Sequence, residues 1–175
     1  MKTEMELTAY HEAAHAVVAT NFSFVVIDIG ISEGAAGARI NFGIDKKLLS
    51  MLFNYSDFNM RIGSFPKVDS NVLKFIILTM IAGQIAESLL KYPGSTNLEF
   101  SDSMLPNDDV AIINSLLTYA KDYKIELPSL NFSIFAKECY DILMDPKVWS
   151  RVEQLAKVLL NKNYISGEES LQVIG

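Results

Sequence analysis

His11-Glu12-Ala13-Ala14-His15 contains both histidines of the chain and sets two imidazoles four residues apart. On an α-helix, residues i and i+4 share a face, with Cβ atoms about 5–6 Å apart, so two ring nitrogens can grip one metal ion. Glu12 directly follows the first histidine and can lean over a water beside that metal as a general base. The surrounding Thr8, Ala9, Ala13, Ala14, Ala16, Val17 and Val18 carry no charge, as suits a buried metal-bearing helix. A solvated helix would carry lysine and glutamate at several of those positions.

Two histidines do not complete a catalytic zinc site, which takes three protein ligands and leaves one position open. No third histidine exists, and the single cysteine, Cys139, lies in a segment without another ligand. The third ligand must then be a carboxylate. Glu87, in Ile81-Ala82-Gly83-Gln84-Ile85-Ala86-Glu87, is one candidate, with orienting a ligand from behind or facing water as its other roles. Asn107-Asp108-Asp109-Val110 is the second place, where either aspartate also suits a helix cap.

The elements that must position these groups are mostly helical. Thr3 and Glu6 have the spacing of a capping box, which starts the metal helix just before the motif and carries it to about Thr20. Phe24–Ser32 reads as a strand and Ala38–Phe42 as its return, joined by a flexible Gly34-Ala35-Ala36-Gly37 turn. Helices are predicted over Asp45–Phe53, from Asp69 or Ser70 to about Lys91, over Asn107–Tyr123, over Phe132–Met144 and over Pro146–Asn161. Asp145-Pro146 is a strong start signal for the last of these, and Ser166 with Glu169 opens a final short helix. Tyr55–Pro66 and Tyr92–Pro106 read as irregular connections.

Composition bounds the rest. A chain of 175 residues, half of them hydrophobic, suggests one domain, 1–175, with its own core. The net charge of −6 and the lack of a long basic run argue against a nucleic-acid surface. One cysteine permits no internal disulfide, which points to a reducing compartment and a cytoplasmic location. Cys139 reads as a core residue. The metal helix begins too early to leave room for a signal peptide. The most apolar run, Phe75–Gly83, is interrupted by Gln84 and Glu87 and falls short of the roughly 20 residues of a membrane span, so a core helix is expected.

Taken in order, several stretches resemble the zinc peptidase domain of FtsH-type membrane-bound AAA proteases. Thr8–Val18 is similar to that family's metal helix, and Ala82-Gly83-Gln84-Ile85-Ala86-Glu87 to its Gly-Arg-x-Ala-Glu stretch. Asn107-Asp108-Asp109-Val110 resembles its Ser-Asn-Asp-Leu stretch. Leu155–Leu160 followed by Ile165–Glu169 is similar to its closing helices, so the resemblance runs from Thr8 to about Glu169. It implies a mainly α, zincin-like fold with a small sheet or hairpin near the N-terminus. It also implies a Zn2+ ion held by His11, His15 and Asp109, with Glu12 as base. Asp108 fits if the register slips by one, and Glu87 then stands behind the ligands.

Ala14 replaces the family's usual glycine and Gln84 its arginine, and the loop between Glu87 and Asp109 is longer than usual. No Gly-x-x-x-x-Gly-Lys-Ser/Thr phosphate loop occurs in the chain, so an ATPase would have to come from a separate partner. The expected activity is zinc-dependent hydrolysis of peptide bonds in a peptide or protein substrate. The alternative is a non-catalytic zinc-binding or interaction module on the same fold. Phe24–Ser32 is a candidate strand for pairing with an extended substrate. Self-association is expected only because rings are typical of the resembled family.

Overall fold

The opening helix, α1 (Glu4–Asn21), starts where Thr3 and Glu6 cap each other. Glu6 N–H donates to Thr3 Oγ1 at 3.2 Å, and Thr3 N–H donates to Glu6 Oε2 at 2.8 Å. Both helix-end amides thereby find acceptors. The computed structural model describes residues 2–32, 35–57, 66–93 and 107–175. From Ala9 onward α1 is buried on almost every side, through Ala13, Ala14, Ala16, Val17, Val18 and Ala19. The alanines let neighbouring backbones approach closely, and α1 packs on α3 (Ser70–Lys91), α6 (Pro146–Lys162) and β1 (Val25–Ser32).

Among the described residues the chain forms seven α-helices and one three-stranded antiparallel sheet, the mainly α architecture expected. The remaining helices are α2 (Lys46–Phe53), α4 (Asn107–Asp122), α5 (Phe132–Leu143) and α7 (Gly167–Ile174). A single 3-10 turn, Tyr55–Asp57, follows α2. Local signals account for most helix starts. Asp45, Asp69, Asn131 and Asp145 each accept backbone N–H bonds as N-caps, Pro146 occupies the first turn of α6, and Ser166 with Glu169 closes a second capping box. Most of the expected irregular stretches, residues 58–65 and 94–106, lie outside the described residues.

Helix α3 lies against α1 and α5, with Leu73, Ile76, Ile77, Leu78, Ile81, Ala82, Ile85 and Ala86 buried. At 22 residues it is long and apolar enough, by length and composition, to cross a membrane, contrary to the expectation that it falls short. In this fold it is a core helix. Cys139, on α5, is fully buried against it, and its thiol donates to Leu78 O at 3.5 Å. Burial pushes that thiol well above the usual cysteine range, so it is inert as a nucleophile, as its core reading requires.

The sheet has the order β2-β1-β3, with β2 at Ala35–Asn41 and β3 at Tyr164–Ser166. This corrects two expectations and adds a strand. Ala35, Ala36 and Gly37 are not turn residues but the start of β2, paired across to Ser32, Ile31 and Gly30. A ready partner strand overrides their weak strand preference. Strand β1 is not an edge that a substrate could join, because β3 pairs with it over Asp28–Gly30 while β2 occupies its other side. β3 itself was not expected, being three residues, too short to show alternation in the sequence.

Gly167, just after β3, is compulsory: a Cβ there would run into the Val26 carbonyl oxygen. The ladder is further tied by Asp28, which accepts from Arg39 Nε at 2.6 Å and from Tyr164 Oη at 3.1 Å.

Candidate metal centre

Helices α1 and α3 run antiparallel along their contact, and three residues of α3 read out the histidine spacing of α1. Thr79, Gly83 and Glu87 recur every four residues and so share one face of α3. Glu87 meets His11, Thr79 meets His15, and Gly83 lies between them.

The His11 Nδ1–H donates to Glu87 Oε1 at 2.8 Å, and the His15 Nδ1–H donates to the Thr79 carbonyl at 2.6 Å. Carboxylate and carbonyl oxygens can only accept here, so both rings carry their proton on Nδ1 when neutral and present the Nε2 lone pair inward. That arrangement is how metal-binding imidazoles are held from behind. Glu87 also accepts from Lys91 Nζ at 2.8 Å, which anchors the carboxylate on its far side.

Gly83 makes room for the rings. A Cβ at that position would stand 2.5 Å from His11 Nε2 and 2.6 Å from His15 Nε2, far inside van der Waals contact. Glycine in mid-helix costs roughly 0.5–1 kcal/mol relative to alanine, and here the space it leaves is occupied by the two imidazoles.

Asp109, on the first turn of α4, completes the group. One ligand atom each from His11, His15 and Asp109 lies within 4.8 Å of the others. The protein therefore brings together the two histidines and the aspartate singled out from the resemblance. Glu87 stands behind His11, on the opposite ring nitrogen from the inward face. The side chain of Asp108 lies outside the described residues.

Electrostatics at the cluster follow burial and charge. Burial, reinforced by neighbouring His11, lowers the His15 pKa to about 3, so this imidazole is neutral. For His11 burial also opposes protonation, but the Glu87 hydrogen bond and the carboxylates of Glu12, Glu87 and Asp109 outweigh it and raise its pKa. The His11 contact in turn pulls Glu87 down to about 2, aided by Lys91. Glu12 is 7% exposed, and burial raises its pKa despite His11 and a hydrogen bond from the Ala38 N–H.

That Ala38 bond fixes the orientation of β2. In an antiparallel strand alternate residues direct both N–H and C=O to the same side. Ala36 and Ile40 therefore face the cluster as Ala38 does, along the edge of β2 that has no partner strand among the described residues. These residues, with Gly37, Phe42, Leu49, Phe53 and Met80, enclose a cavity of about 300 Å³ over His11, Glu12, His15 and Asp109.

The donor set fits a metal of the zinc type. Two neutral-capable imidazoles and one carboxylate are three ligands, both Nε2 lone pairs are uncommitted to the backing hydrogen bonds, and a cavity adjoins the cluster. Sequence reasoning missed Thr79, Gly83 and Ala38. The four-residue rhythm of Thr79-Gly83-Glu87 was a readable signal for the first two, because it matches His11-His15. Ala38 had none, since its contact depends on the sheet. No protein-family model matches the chain, and no curated protein matches it.

Proposed function

We propose that this protein is a zinc-dependent peptidase of the kind its sequence resembles, with His11, His15 and Asp109 holding the metal and Glu12 moving the proton. The observation that carries the reading is the paired backing of the histidines: each Nδ1 is committed outward, to Glu87 or to Thr79, leaving both Nε2 atoms directed at the Asp109 cluster. Any buried imidazole needs an acceptor for its N–H, but a structural pair has no need to gather its ligand atoms within 4.8 Å of a carboxylate oxygen as well.

A bound zinc ion supplies Lewis-acid chemistry, polarising the scissile carbonyl and acidifying the attacking water. Glu12 accepts that water's proton as oxygen adds to the carbonyl carbon, then delivers it to the amine nitrogen as the carbon–nitrogen bond breaks. Its burial suits this role, because it raises the carboxyl above its ordinary range and so makes it a better proton acceptor. The Ala38 N–H holds the carboxylate in place. The substrate main chain aligns along the edge of β2 that has no partner strand among the described residues, where Ala36, Ala38 and Ile40 present backbone groups and only small side chains stand at Ala36, Gly37 and Ala38.

The test is Glu12→Gln, read by elemental analysis and by cleavage of a fluorogenic peptide library. The variant keeps zinc while cleavage falls about 100-fold or more, the range for loss of a general base. Undiminished cleavage removes Glu12 from the reaction. Failure of the zinc-loaded wild-type protein to cleave any library member defeats the peptidase reading.

A further inference from the structure

Helices α3 and α5 end beside the start of α6, and there they form an apolar groove of about 530 Å³ that shares no lining residue with the cavity over the metal cluster. Its walls are Leu89, Leu90 and Pro93 at and just past the end of α3, Leu143 and Met144 at the end of α5, and Trp149 on α6. Lys2 and Glu153 are the ionisable groups that line it. We propose that this groove binds a small organic amine, its hydrocarbon body against the leucines and the indole and its ammonium beside Glu153. The site is independent of the metal and of the peptidase reading.

Trp149 and Glu153 stand four residues apart on α6 and so share a face. The indole is held by its packing on buried Tyr10, at a ring-centroid distance of 6.0 Å. Burial, and after it the charge of Glu153, raises the Tyr10 phenol pKa, which sets the carboxylate near the same aromatic pair. A ring face and a carboxylate both attract an ammonium, the first through its quadrupole and the second through its charge. The protein already holds one ammonium at these rings, since Lys2 Nζ stands 5.9 Å from the Tyr10 centroid.

Charge decides which ligand suits the groove. Lys2 is committed, its ammonium 3.2 Å from Glu6 Oε1. Glu153 is partly buried and makes no hydrogen bond or ion pair with another described residue. The uncommitted charge among the lining groups is therefore negative. Helix ends add to it. The last carbonyls of α3 and α5 carry partial negative charge, whereas amides at the starts of α1 and α6 are taken up by Thr3 and Asp145. The apolar walls reward a hydrocarbon body, and the volume falls in the range of small-molecule sites, roughly 300–1,000 Å³. No strand contributes a lining residue, so an extended peptide finds no edge there to pair with.

Trp149 is the single tryptophan of the chain, so its fluorescence reports on this groove. The protein is titrated with phenylbutylamine, phenylbutanol and phenylbutanoate, which share one apolar body and differ in charge, with zinc and again with excess chelator. Expected is a saturable shift of the emission, with the amine bound about tenfold tighter than the alcohol and the carboxylate weakest. Chelator should leave these constants unchanged. Glu153→Gln should bring the amine to within about threefold of the alcohol while the alcohol itself is unaffected. Leu90→Ala should weaken amine and alcohol by a similar factor, about threefold to tenfold.

Amine and alcohol binding the wild-type protein within about threefold of each other overturns the proposal, since the groove is then merely apolar. Tightest binding of the carboxylate overturns it too, because Lys2 would then set the charge. An amine preference that survives Glu153→Gln, or that chelator abolishes, places the cation elsewhere and has the same force. Binding of acetyl-leucyl-lysine amide about tenfold tighter than phenylbutylamine would assign the groove to a segment of a partner protein instead. An emission shift on concentrating the protein alone would assign it to a second copy. Absence of any saturable shift, with calorimetry agreeing, removes the site.

Discussion

Replacing Gly83 with alanine tests the cluster with a single methyl group. The added Cβ would stand 2.5 Å from His11 Nε2 and 2.6 Å from His15 Nε2, where carbon contacts normally settle at about 3.5–4.0 Å. One or both rings must retreat by roughly 1 Å, against a tolerance of about 0.2 Å in metal–ligand distance. Neither ring swings freely, because Glu87 and the Thr79 carbonyl hold them from behind. Loss of correct geometry at even one ligand should weaken zinc at least as much as loss of a backing residue, about 100-fold.

Stability should move far less. Alanine raises the helix propensity of α3 by up to about 1 kcal/mol, offsetting part of an overpacking cost of about 1–3 kcal/mol. The assay is zinc competition against a chromogenic chelator, paired with thermal melts in excess chelator for both proteins. A folded variant with zinc affinity within about threefold of wild type would refute the claim that the two Nε2 atoms face the metal. A variant that fails to fold even without metal would show that Gly83 serves packing first.

Three further outcomes are expected. Glu87→Gln should remain folded yet bind zinc about tenfold to hundredfold more weakly in the same chelator competition, because the backing of His11 loses its charge. Asp109→Asn should lower zinc affinity by a comparable or larger factor, whereas Asp108→Asn should not; the reverse result would move the third ligand by one residue. Asp28 is held below the usual carboxylate range, first by its hydrogen bond to Arg39 and then by Tyr164. A lowered folded pKa means its contribution is complete at neutral pH and is lost as pH falls through that folded value. Arg39 is largely solvent-exposed, so Asp28→Asn should cost only about 1 kcal/mol at pH 7, a drop in Tm of about 2–4 °C. The gap to wild type should narrow below about pH 4, as melts across an acid series will report.

What could be read from the sequence was whatever is written locally. Caps such as Thr3 with Glu6, Asp145 before Pro146, and Ser166 with Glu169 involve neighbours in the chain, so those helices start where expected. His11 and His15 likewise announce a shared face by spacing alone. The sheet was harder, because strand identity at Ala35–Gly37 and Tyr164–Ser166 is conferred by a partner distant in sequence. The proposed third ligand was ambiguous for a related reason. Glu87 and Asp109 both sit on helices where a carboxylate is unremarkable, and only the fold sets one behind His11 and the other across from it. The cavity over the cluster was invisible, since its apolar walls come from β2, α2, α3 and the residue that follows β2.

The strand at Tyr164–Ser166 carries a consequence for how the chain comes together. Tyr164 reaches Asp28 across 136 residues of sequence, and its strand closes the side of β1 opposite β2. During synthesis α1 leaves the ribosome well before α6, one of the elements packed against it. Until then the part of its surface that α6 covers faces water, although α3 and the sheet can already pack on the rest. The nascent amino-terminal half is thus a sticky intermediate, and contacts this remote slow the search for the native arrangement. Deleting β3 would leave that side of β1 uncovered, so the yield of soluble material should fall.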